Sequence, residues 1–175
     1  MKEGITTESL PVQLAKKSLR HYLQTGKLLN TPAELPDALR GQAGVFVSLK
    51  KQGRLRGCIG TYLPTQENVA AEIIVNAVSA GTQDPRFWPV ELDELEDLEV
   101  SVDVLNPPER IENINQLDPR RYGVIVRRGH RSGLLLPDLE GVDTPEQQVA
   151  IACQKAGIRQ DEPFELYRFT VTRYR

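Results

Sequence analysis

Residues 45–62, VFVSLKKQGRLRGCIGTY, decide how the rest of the chain is read. Val45, Val47 and Leu49 alternate with Phe46, Ser48 and Lys50, the period of a strand with one buried face, and a second strand begins after Gly53. A three-residue loop of Lys51, Gln52 and Gly53, with Gly53 at the left-handed bulge position, sets Leu49 opposite Leu55, Val47 opposite Gly57 and Val45 opposite Ile59. That register gathers the aliphatic residues on one face. A two-residue loop would instead set Arg56 and Cys58 opposite the valines, and register follows the apolar set. Arg56, Cys58 and Tyr62 then project together from the other face, near Phe46 and Ser48. Gly57 and Gly60 flank the cysteine, and glycines inside a strand mark a bulge or the close approach of another backbone or a ligand.

A guanidinium two residues from a thiol on one strand face favours the thiolate, which makes a cysteine nucleophilic near neutral pH. On that reading Cys58 and Arg56 are the catalytic candidates, Cys58 as nucleophile or covalent carrier and Arg56 as the cation that lowers its pKa and holds an anionic group. The alternative is that Cys58 is a small buried hydrophobe and Arg56 a surface residue, since free cysteine is among the most buried residue types. No histidine lies close in sequence to act as a base, so His130 would have to be brought in by the fold. Gly57, Gly60 and Tyr62 are candidate binding residues on the strand. Asp84, Arg86 and Phe87 join them from Thr82–Pro89, where two prolines accompany a pair of opposite charges and two aromatics; such a loop is rigid, and ligand sites are often built on loops of this kind.

Outward from the hairpin, a first helix is expected to start near Thr7 or Ser9, to bury Val12, Ala15, Leu19, Tyr22 and Leu23, and to end at Gly26. Residues 31–41 read as an irregular connection. Thr65 is placed to cap a second long helix whose Val69, Ile73, Ala77 and Ala80 form one stripe, stopping at Gly81. Residues 91–97 form an acidic turn or short helix before a strand of Leu98, Val100, Val102 and Val104. A further hairpin runs from Tyr122 through a basic tip into Leu134, Leu135 and Leu136. Thr144, Pro145 and Gln147 spell the start of a last helix that places Cys153 in the core, and residues 164–172 close the chain as one strand. The outcome is an α+β fold, antiparallel sheet with flanking helices, in a single domain over residues 1–175.

Composition bounds function without naming it. With 39% hydrophobic and 26% charged residues and no apolar run near the length of a membrane span, the protein is expected to be soluble, with no membrane partner. Met1–Leu10 lacks the basic flank and apolar core of a secretory signal, which implies a cytoplasmic address. Cys58 and Cys153 have no C-x-x-C partner and no histidine at ligand spacing, so neither a disulfide framework nor a metal site is expected. A net charge of −2 gives no global attraction to nucleic acid, though acids crowd residues 91–99 and arginines crowd residues 120–131, a weak anion or partner patch. No phosphate loop, dinucleotide fingerprint or nucleophile elbow is present, and no cofactor is called for.

The succession Leu55-Arg56-Gly57-Cys58-Ile59-Gly60, Asp84-Pro85-Arg86-Phe87, Gly133-Leu134-Leu135-Leu136-Pro137 and Cys153-Gln154-Lys155-Ala156-Gly157 resembles the family named for the AMME syndrome chromosomal region, whose prokaryotic members are called AmmeMemoRadiSam system protein A. One departure is that Gly141 is followed by Val142, where many members carry tryptophan. The resemblance implies two unequal lobes built from one continuous chain, with a groove between them bordered by Arg56–Gly60. It also implies companions, a radical S-adenosylmethionine protein and a Memo-like protein, in a cytoplasmic system. It implies no reaction, so a cysteine-dependent enzyme or carrier and a non-catalytic module that docks partner proteins both stand.

Overall fold

The computed structural model describes residues 8–175. Helix α1 (Leu10–Thr25) carries Pro11 in its first turn, where no intrahelical N–H is lost, and Gly26 closes it in the left-handed conformation with its N–H on the Tyr22 carbonyl at 2.7 Å. Of the two expected starts, Ser9 holds the N-cap position, while Thr7 lies outside the described residues. A four-residue helix, α2 (Asp37–Arg40), interrupts the irregular connection.

Strands β1 (Val45–Lys51) and β2 (Arg54–Thr61) form the central hairpin, in a register that differs from the expected one. Val45 pairs with Thr61, Val47 with Ile59, Leu49 with Gly57, Lys50 with Leu55 and Lys51 with Arg54. Gln52 and Gly53 both have positive φ, 52° and 73°, so the turn is the two-residue type that matches strand twist. An irregularity opposite Leu49/Lys50 then absorbs one extra residue at Arg56. Turn and bulge together keep Gly57 and Ile59 on the apolar face while shifting every partner by two. They also turn Leu55 away from the core, and it is 40% exposed.

Helix α3 (Val69–Thr82) is capped by the Asn68 side chain, which accepts from Ala71 N–H at 2.8 Å, not by Thr65. Thr65 is held instead by Glu72, a 1% exposed carboxylate that also accepts from the Thr61 hydroxyl and the Gln66 N–H, which fixes the connection to β2. Gly81 does not stop the helix. A Cβ there would lie 2.6 Å from Leu19 Cδ1, so the glycine marks where α3 presses on α1.

Strands β3 (Leu98–Leu105), β4 (Glu109–Ile111), β5 (Gly123–Arg128) and β6 (Arg131–Leu135), helix α4 (Pro145–Ala156), and strands β7 (Glu165–Phe169) and β8 (Val171–Tyr174) complete the chain. They form two antiparallel four-stranded sheets, in the orders β2-β1-β3-β8 and β4-β7-β5-β6, so the protein is α+β. The single closing strand expected over residues 164–172 is two strands in different sheets, separated at Thr170. Period-two alternation reads straight through such a break, because it is blind to pairing partners.

The chain divides into two compact units, the larger comprising the described residues up to Val104 together with Arg173–Arg175, the smaller Leu105–Thr172. In the larger, Val45, Val47, Leu49, Val100 and Val102 share one core with Val12, Ala15 and Leu19 of α1 and Ile73 and Ala77 of α3. Burying each Leu, Ile or Val contributes about 1.5–3 kcal/mol against a similarly large loss of chain entropy. In the smaller, Val124, Val126 and Leu135 pack with Val149, Ala152 and Cys153 of α4, and Val142 joins that core. Cys153, 1% exposed, is core, as its helical position predicts.

Candidate functional site

The larger sheet has a second face, opposite its valines, and the candidate residues concentrate there. Ser48 pairs with Cys58 across β1–β2 and with Ser101 across β1–β3, and Phe46 pairs with Gly60 and Asp103. Cys58 Sγ and Ser48 Oγ are 3.1 Å apart. The Cys58 N–H donates to Asp84 Oδ2 at 3.0 Å, which brings the Thr82–Pro89 loop onto this edge of the sheet. Asp84 is 5% exposed and receives a bidentate fork from Arg86, at 3.0 Å to Oδ1 and 2.8 Å to Oδ2, together with the Arg86 N–H. That guanidinium holds the Asp84 carboxyl well below the usual carboxylate range. Arg86 nevertheless leaves 56% of its side chain exposed, and its guanidinium carbon lies 5.5 Å from the centre of the Phe87 ring. Further along the face, Asp103, 4% exposed, accepts both Nε and Nη2 of Arg173 at 2.7 Å.

Burial pushes the Cys58 thiol up; the Ser48 hydrogen bond and the Arg86 charge pull it down, while Asp103 and Asp84 push it further up. Arg56 is not among the charges that act on it, which corrects the expected pairing. At the bulge the Arg56 side chain forks onto Glu94, at 3.1 Å to Oε1 and 3.0 Å to Oε2, and donates to the Trp88 carbonyl at 2.8 Å. Glu94 also receives Lys51 Nζ at 3.2 Å and the Glu91 N–H, and its pKa falls to about 2, chiefly through Arg56. Arg56 is therefore a tie between β2 and the segment from Trp88 to Glu94. The cation beside the thiol is Arg86.

Both strand glycines answer to packing. A Cβ on Gly57 would sit 2.2 Å from the Ala80 carbonyl oxygen of α3, and one on Gly60 would sit 2.3 Å from Phe46 Cγ. The close approach is by backbone at Gly57 and by an aromatic ring at Gly60. Tyr62, 36% exposed, lies just past the end of β2. His130 sits in the two-residue turn of the β5–β6 hairpin, in the smaller unit. The arginines of that hairpin are paired within the smaller unit: Arg127 with Glu165 at 2.7 Å, Arg128 with the Pro163 carbonyl at 2.7 Å, and Arg131 with Glu162 at 3.2 Å. The weak anion patch expected there is largely neutralised.

Sequence reading placed Ser48 beside Cys58, as observed, but missed Ser101, Asp103, Arg173 and Glu94 as neighbours of the site. Ser101 and Asp103 were within reach, because each occupies a polar position in an alternating strand. Arg173 was not, because its place depends on β8 crossing to β3. Among the described residues no group of three or more His, Cys, Asp and Glu side chains is arranged to hold a metal, and no helix is long and apolar enough to cross a membrane.

These features define a class of α+β protein with two four-stranded antiparallel sheets, one of which bears a thiol on the face opposite its core, beside a carboxylate-clamped arginine of an adjoining loop. The chain belongs to the AMMECR1 family, whose sequence profile matches residues 12–174. It is 54% identical over 167 residues to a protein of Thermotoga maritima, covering 94% of this chain and 96% of that one. It is 50% identical over 169 residues to Protein CA_C1420 of Clostridium acetobutylicum, of which it covers 35%. The crystal structure of the uncharacterized protein PH0010 from Pyrococcus horikoshii superimposes with a TM-score of 0.86 at 37% identity, covering 93% of this chain and 88% of that one. None of these names states an activity.

Proposed function

We propose that the chain is a binding component of a cytoplasmic multi-protein system rather than a free-standing catalyst, and that the Arg86–Cys58 edge of the larger sheet receives an anionic group of what it binds. The observation that carries this reading is the Asp84 carboxylate, which ties the Cys58 N–H and the Arg86 guanidinium together while leaving Arg86 more than half exposed. A preorganised, exposed guanidinium suits a carboxylate or phosphate. The thiol beside it, raised by burial, is neutral at pH 7 and suits packing or weak hydrogen bonding better than attack. The companions are a radical S-adenosylmethionine protein and a Memo-like protein, on the family resemblance. That the homologous segment accounts for only 35% of the clostridial chain fits a unit that works attached to others.

A second reading, Cys58 as nucleophile or carrier, draws on Ser48 and Arg86, which both favour the thiolate. Alkylation of Cys58 by iodoacetamide and by iodoacetate across pH separates the two. The binding reading expects slow labelling with an apparent pKa above the ordinary free-thiol value of about 8.5, and a preference for the anionic reagent that Arg86→Gln removes and Arg56→Gln leaves intact. An apparent pKa clearly below that value would install the nucleophile instead. A reagent preference indifferent to Arg86 would remove the anion site.

A further inference from the structure

Trp88, the single tryptophan of the chain, is 88% exposed, the most solvent-facing of the large hydrophobics among the described residues. Its backbone is nevertheless held on both sides. Its carbonyl accepts from Arg56 Nη1 at 2.8 Å, Phe87 N–H donates to the Asp84 carbonyl at 3.2 Å, and two residues on the 1% exposed Val90 donates its N–H to Gly81 at 2.7 Å. Pro85 and Pro89 stiffen the same loop. An indole on a fixed backbone loses little conformational freedom when it is covered, and tryptophan is among the residues most enriched at energetic centres of interfaces.

The surroundings say what covers it. Leu55, 40% exposed, precedes Arg56, and Leu92, 44% exposed, lies two residues before Glu94, so the bonds of Arg56 to Glu94 and to the Trp88 carbonyl tie together the three stretches that carry these exposed hydrophobics. The same segment carries exposed Glu91, Asp93, Asp97 and Glu99, none of them in an ion pair among the described residues. An apolar anchor followed along the chain by exposed acids, of which Glu91 caps the Leu92–Asp97 turn and Glu99 faces Lys50 across the sheet, complements an apolar pocket rimmed by Lys and Arg. It opposes an anionic membrane surface, and the arginine-rich hairpin of a second copy is already paired to Glu162 and Glu165.

We infer that the Trp88 loop is a protein-docking surface, in which Trp88 inserts into an apolar pocket with a basic rim on a partner protein. The inference does not depend on the Arg86–Cys58 reading, whose residues it leaves untouched. A photocrosslinking amino acid at position 88 of the full chain, with a control at Leu28, which is 49% exposed, is used in the native host to identify the partner. That protein is then purified and titrated while the emission of Trp88 is followed. Docking is expected to shift the emission to the blue, Trp88→Ala to weaken binding about 30-fold or more without changing the melting temperature, and Asp93→Asn/Asp97→Asn/Glu99→Gln to weaken it about fivefold at low salt only. The inference is overturned by crosslinks to a second copy or to lipid, by crosslinking no stronger than at the Leu28 control, or by a Trp88→Ala affinity within twofold of the parent.

Discussion

In the larger unit the hairpin β1–β2 is followed by α3 and then by β3, which pairs antiparallel with β1; in the smaller, β5–β6 is followed by α4 and then by β7, which pairs antiparallel with β5. Each unit adds one more strand, β8 beside β3 and β4 beside β7. The correspondence reaches single residues. Gly57 lies opposite Leu49 and Gly133 opposite Val126, and a Cβ would fall 2.2 Å from the Ala80 carbonyl oxygen in the first case and 2.1 Å from that of Ala152 in the second. Each helix therefore docks on the second strand of its hairpin at a glycine.

The second faces of the two sheets differ. Where the larger sheet sets Ser48 beside Cys58 and Ser101, the smaller sets Ile125 beside Leu134 and Tyr167. The smaller hairpin also lacks the bulge, its register running unbroken from Arg128–Arg131 to Val124–Leu135. The same face of the smaller sheet also carries Arg127, opposite Ser132 and Glu165. One chain topology thus forms with neither a thiol on that face nor a bulge arginine, so neither is a requirement of that topology. The Asp84 carboxylate that ties the Cys58 N–H to Arg86 is what the proposed binding role of that edge rests on.

The largest effects should fall on what the units share. Gly57→Ala and Gly133→Ala each force a methyl into a helix carbonyl, and each is expected to cost roughly 2–3 kcal/mol, lowering the melting temperature by about 5–10 °C in calorimetry. A parental melting temperature in either variant would break the equivalence. Next comes Asp84→Asn, which weakens the Arg86 fork and the Cys58 tie; a loss of about 1–3 kcal/mol in urea unfolding is expected, because the carboxylate is buried although its partner is half in water.

A pH titration of stability sharpens the contrast further. Glu94 has its pKa lowered from 4.5 to about 2 and so contributes stability that is fully present above pH 4.5 and is lost as pH falls toward 2. Arg56→Met should flatten that acid limb, whereas Arg127→Gln, whose carboxylate partner is a surface group, should leave it in place. The smallest effect is that of Arg127→Gln on stability at neutral pH, with a chemical-denaturation midpoint close to the parent's, in keeping with an exposed pair.

Legibility followed the range of the interactions. The helix starts at Pro11 and Thr144, the left-handed ends at Gly26 and Gly157 and the strand of Leu98–Leu105 are set by neighbours a few residues away, and they were readable. The grouping of Gly57, Ile59 and the valines on one face was readable too, because apolar periodicity survives a shift of two. The bulge at Arg56 was not, since two-residue turn plus bulge and three-residue loop place the same residues inward. The Asn68 cap was missed because Thr65 offers the same chemistry three residues earlier, and only the buried Glu72 decides between them.

By itself the sequence determined the α+β class, the family and the set of residues worth watching, because local periodicity, capping and motif order are properties of the chain alone. Tertiary structure decided which cation stands beside Cys58. Arg56, two residues away, is drawn to Glu94, and Arg86, 28 residues away, is clamped by Asp84 next to the thiol. Charge pairs form by distance in space, and a single added residue in one strand was enough to reassign them.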